Sequence, residues 1–66
     1  MDEHAAVLES WLPVDPQLRH QAARLMPGDT LTFRYTNDEL QIVEAAVPYE
    51  QVKLIQARLV LKGEIK

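Results

Sequence analysis

The period of the apolar positions changes along the chain, and each change marks an element. From Asp2 to Leu12, Ala5, Leu8 and Leu12 recur at three- and four-residue spacing, joined by Val7 and Trp11, while Glu3, Glu9 and Ser10 stay polar. That spacing predicts a short amphipathic helix, with Asp2 and Glu3 at its dipole-positive end and Pro13 as its stop. Pro13-Val14-Asp15-Pro16 predicts an elbow. Asp15 is suited to cap the next helix and Pro16 to fill its first position, where a missing N–H costs nothing. This second helix should run to about Leu25, with Leu18, Ala22 and Leu25 on its apolar edge and Gln17, His20 and Arg24 outside. Pro27-Gly28-Asp29 ends it and turns the chain.

From Thr30 to Tyr35 the period becomes two. Leu31, Phe33 and Tyr35 fall on one face and Thr30, Thr32 and Arg34 on the other, in residue types that favour strands. Thr36-Asn37-Asp38-Glu39 is turn chemistry, and Leu40 to Val43 resumes the apolar pattern. With Asn37-Asp38 as a tight turn, Tyr35 pairs with Leu40, Arg34 with Gln41 and Phe33 with Ile42, placing Phe33, Tyr35, Leu40 and Ile42 on one face of a hairpin over about residues 30 to 43. Val47-Pro48-Tyr49-Glu50 reads as a helix start. Val52, Ile55 and Leu59, flanked by Gln56 and Val60, form an i, i+3, i+7 stripe, and Lys53, Arg58 and Lys62 complement the C-terminal dipole. Gly63 suits the cap. The competing reading makes Arg58 to Ile65 a strand, and the stripe favours the helix. The expected fold is α+β: two short N-terminal helices, a central antiparallel β-hairpin and a C-terminal helix.

Sixty-six residues, 47% apolar and 26% charged, describe one small folded domain over residues 1 to 66. There is no Cys, so neither a disulfide framework nor a thiolate zinc site can form, and a cytoplasmic location is the default expectation. No apolar run approaches the roughly 20 residues of a membrane span, and Met1 is followed by Asp-Glu-His rather than a basic leader, so neither membrane insertion nor export is expected.

Candidate chemistry is sparse. Ser10 is the sole serine and lacks a glycine-rich elbow, and His4 and His20 match no metal-ligand spacing. Gly28 and Gly63 are the only glycines, too few for a phosphate loop. A protein that is not an enzyme, with no metal or cofactor, is expected. The net charge of −3 is blocked along the chain: −4 over residues 1–15, +2 over 16–34, −3 over 35–49 and +2 over 50–66. The fold could bring the two positive segments together on one face.

Leu12-Pro13-Val14, Leu18-Arg19, the stretch from Leu25 through Met26-Pro27-Gly28-Asp29-Thr30 to Leu31, and Leu40-Gln41-Ile42-Val43 together resemble the AbrB-like swapped-hairpin family, which includes MazE-type antitoxins. There a Pro-led helix with an early Arg enters a Leu-x-Pro-Gly-Asp turn, followed by two strands. The resemblance covers residues 12 to 43. It implies an intertwined dimer that contacts DNA, with Arg19 and Arg24 facing phosphate. In place of the family's basic N-terminal strand, this chain has the acidic, helix-patterned segment before Pro13.

Two functional expectations follow. The first is a small interaction module, such as an inhibitor, adaptor or antitoxin-like factor, that binds a protein partner through an apolar helix face and acidic patches. Trp11, Val52, Ile55 and Leu59 are its candidate contacts, and a homodimer is expected because the core is small and the C-terminal stripe offers a second apolar surface. The alternative is a dimeric AbrB-like DNA-binding regulator that uses Arg19, Arg24 and Arg34.

Overall fold

The computed structural model describes residues 2–66. Helix α1 spans Glu3–Trp11, α2 Pro16–Arg24, strand β1 Thr30–Thr36, β2 Ile42–Pro48 and α3 Tyr49–Leu61. The chain is thus an α+β fold, with an antiparallel hairpin between two N-terminal helices and one C-terminal helix.

Each helix starts and stops for a local reason. The Asp2 carboxylate accepts the Ala5 N–H at 2.9 Å, and that of Asp15 accepts the Leu18 N–H at 3.1 Å with Pro16 in the first turn. Helix α3 has no side-chain cap; Pro48 precedes it in extended geometry, and the Tyr49 N–H donates to the Asp29 carbonyl at 3.0 Å. At its far end Gly63, at φ +76°, donates to the Val60 carbonyl while the Glu64 N–H donates to that of Leu59, the paired bonds of a Schellman cap. Residues 58–61 are therefore helix, and the strand reading of the C-terminal segment does not hold.

Helices α1 and α3 pack on one face of the hairpin, and α2 adds to the same buried cluster. Ala5, Leu8 and Leu12 of α1 and its elbow, Leu18 and Ala22 of α2, Leu31 and Val47 of the strands, and Val52, Ile55 and Leu59 of α3 form one buried cluster, with Trp11, Leu25, Phe33 and Ile65 packed at its edge. The other face of the hairpin, Thr30, Thr32, Arg34 and Thr36 beside Ile42, Glu44, Ala46 and Pro48, is exposed.

The hairpin register differs by three residues from the one expected. Tyr35 lies opposite Val43, Arg34 opposite Glu44 and Phe33 opposite Ala45, and the second strand runs on to Pro48. An odd shift exchanges the faces of a strand, so Val43, Ala45 and Val47 turn inward while Leu40 and Ile42 stand 85% and 79% exposed. Asn37 explains the longer loop. Its side-chain oxygen accepts the N–H groups of Glu39 and Gln41, both at 2.9 Å, and its own N–H donates to the Gln41 carbonyl at 2.8 Å. The longer second strand then buries Ala45 and Val47 and sets Glu44 3.1 Å from Arg34.

Candidate interaction surface on helix α3

A 13-residue helix makes between three and four turns, and α3 is apolar on two of its sides. Val52, Ile55 and Leu59 point into the core and are fully buried. Rotated by half a turn, Leu54, Ala57 and Leu61 also recur at i, i+3, i+7, but nothing among the described residues covers them. Leu54 is 58% exposed and Leu61 87%, with exposed Val60 beside them and Glu50 at the N-terminal end of the same line. The choice of buried side follows from that Glu50: a core on its line would have to strip water from a carboxylate.

The basic residues flanking the exposed stripe are all engaged within the chain. The Lys53 ammonium donates to the Ala22 carbonyl at 3.1 Å and lies 5.4 Å from the centre of the Tyr49 ring. Arg58 reaches Glu9 of α1 at 2.7 Å, and Lys62 reaches the same carboxylate at 3.4 Å. The Arg58 hydrogen bond, assisted by Lys62, holds the Glu9 carboxyl below its ordinary value against the opposing effect of partial burial. The stripe is therefore an apolar strip whose bordering charges are fixed on the core side.

The sequence-derived contacts fall elsewhere. Val52, Ile55 and Leu59 are core rather than surface, because α1 and the hairpin occupy the face they form. Trp11 is half-buried, its ring 5.9 Å from that of Phe33 and 6.3 Å from that of Tyr35, so it closes the core instead of standing out as an anchor. What sequence reading missed is Leu54 and Leu61. The signal is a second stripe of the same period, which the better-formed Val52 stripe masks.

The three arginines of the alternative reading do not converge. Arg19 donates from one guanidinium nitrogen to the carbonyls of Leu12 and Pro13, at 2.9 and 2.8 Å, and so ties the elbow to α2. Arg24 lies 3.3 Å from the His20 ring nitrogen at the exposed end of α2. Arg34 pairs with Glu44 on the outer face of the hairpin. The Tyr35 hydroxyl is buried beside the Glu3 carboxylate, and burial together with that neighbour raises its pKa. His4 lies edge-on to that ring and accepts the Ala46 N–H at 3.4 Å, which covers the outer edge of β2.

Among the described residues no group of three or more His, Asp or Glu side chains is placed to hold a metal ion, and no helix is long and apolar enough to cross a membrane. Compared with known proteins, the chain matches no family model, no curated protein and no solved structure.

Proposed function

We propose that this protein is a small, non-enzymatic interaction module that binds a protein partner through the outward face of α3. The observation that carries this reading is the line of Leu54, Ala57 and Leu61, with Val60 beside it, left uncovered on a helix whose opposite side already supplies the core. Leaving two leucines in water forgoes about 1.5 to 3 kcal/mol of burial each, so a partner that covers them gains what the chain itself does not use. Acidic residues at the hairpin tip, Asp38 and Glu39, lie exposed on the loop and supply a second, polar point of contact.

The test compares what is captured from cells that express the protein by the parent chain, by a Leu54→Lys/Leu61→Lys variant and by an Ile42→Lys variant. Ile42 is as exposed as the leucines but lies on the hairpin. A partner retained by the parent and by Ile42→Lys, and lost from the double variant at an unchanged melting temperature, is the expected result. Equal retention by all three, or loss with Ile42→Lys alone, contradicts it.

A further inference from the structure

We infer that the outward face of α3 is occupied by a second copy of this chain, packed antiparallel on its own α3 about a two-fold axis between Leu54 and Ala57; this rests on the reading of that face as an interaction surface. The spacing of the exposed line is the first argument. Glu50, Leu54, Ala57 and Leu61 are separated by four, three and four residues, the rhythm of alternating seam positions in a two-helix coiled coil. The residues facing the core, Val52, Ile55 and Leu59, then fall at positions remote from the seam, as they must if one helix serves two interfaces.

The flanking charges select the direction. In a parallel pair, Lys53 of each helix faces the partner's Arg58, a cation against a cation on both sides of the seam. In an antiparallel pair, Gln51 faces the partner's Arg58 and Lys53 lays its methylene stem along the partner's Val60, so no like charges meet. Leu54 sits against the partner's Ala57 and the reverse, a large residue filling the space beside a small one. Glu50, in the first turn, lies at the open end of the seam across from the partner's Leu61 with its carboxylate left in water, and the two helix dipoles oppose.

The cations already held by Glu9 and by the Ala22 carbonyl give a separate acidic helix little unmatched positive charge to recognise, which favours a near-neutral seam like the chain's own. Size sets the strength. A standard stable interface buries about 800 Å² per partner, a large share of the 4630 Å² this chain exposes, and one stripe of a 13-residue helix supplies less. The dimer is therefore weak and reversible.

Sedimentation velocity of the whole chain over about 10 µM to 1 mM tests the occupant. The parent should pass from a 7.6 kDa species to twice that mass, and Leu54→Lys/Leu61→Lys should weaken association about 100-fold or more without lowering the melting temperature. Direction is read from an equimolar mixture of a Leu54→Cys chain and an Ala57→Cys chain oxidised in a glutathione buffer, which is simple to interpret because the parent has no Cys. The mixed disulfide should exceed each like-with-like disulfide by well over the twofold ratio that random pairing gives. A monomer throughout overturns the second copy as occupant while leaving the capture comparison to judge the face itself. A dimer unaffected by the double variant overturns the seam, and dominance of like-with-like disulfides overturns the antiparallel arrangement.

Discussion

Glu9 of α1 and Arg58 of α3, 49 positions apart in the chain, meet at 2.7 Å and join the first and last helices across the top of the core. Lys62 reaches the other oxygen of the same carboxylate. The pair depresses the Glu9 pKa below its ordinary 4.5, so the folded state binds this proton less readily than the unfolded chain. Stability from this group is fully present above that value and is lost as pH falls through the lower folded-state pKa. Glu9→Gln should remove that acid dependence and cost about 0.5 to 1 kcal/mol at neutral pH, a range reduced for solvent screening of partly exposed partners. Melting temperatures of parent and variant between pH 3 and 7 should converge at the acid end; parallel curves would show that the pair contributes nothing.

Leu40 holds φ at +63° with its side chain almost wholly in water. Side chains other than Gly, Asn and Asp take this left-handed conformation at a cost of about 1 to 2 kcal/mol, and here no burial offsets it. Leu40→Asn should raise stability by about 0.5 to 1 kcal/mol and Leu40→Ala should not, since Ala keeps the strained Cβ. Chemical denaturation of both variants checks this, and an equal response would place the cost elsewhere.

The two sides of α3 should respond oppositely to mutation. Ile55→Ala empties a fully buried site and should cost about 2 to 5 kcal/mol, enough to unfold a chain of this size, whereas Leu54→Ala next to it should stay within about 0.5 kcal/mol. Phe33, half-buried at the edge of the aromatic group with Trp11 and Tyr35, should fall between them when changed to Ala. Thermal melts followed by circular dichroism give the order; a Leu54→Ala loss as large as that of Ile55→Ala would invert the assignment of faces.

Arg19 separates a structural role from a phosphate-binding one. Removing its bonds to the Leu12 and Pro13 carbonyls should destabilise the elbow by about 1 to 2 kcal/mol, while Arg24→Ala should be close to neutral. With the arginines dispersed, no gel shift of random duplex DNA is expected at low salt. A shift abolished by the Arg19→Ala/Arg24→Ala pair, at unchanged melting temperature, would favour the DNA-binding reading instead.

Much of this architecture is legible in local chemistry. Asp2, Asp15, Pro16 and Gly63 mark helix ends because each acts on backbone groups within a few residues, and Thr30 to Tyr35 shows its alternation directly. The hairpin register is not legible because Asn37-Asp38 is compatible with a two-residue turn, and what lengthens the loop is one Asn37 oxygen accepting two N–H groups, a geometry that residue order does not display. Which side of α3 is buried is not legible for a different reason. Two apolar stripes share α3, and which of them the core takes depends on where α1 and the hairpin lie, a tertiary fact. Glu50 on the second stripe was the one local clue.

Methyl NMR of the leucine, valine and isoleucine side chains measures the central claim most directly, because it reads both sides of α3 in one sample. On raising the concentration of the chain from about 10 µM to 1 mM, and again on adding a captured partner, the Leu54, Val60 and Leu61 methyl signals should shift while those of Val52, Ile55 and Leu59 stay in place. Shifts confined to Leu40 and Ile42 at the hairpin tip, or spectra unchanged in both titrations, would contradict an interaction surface on α3.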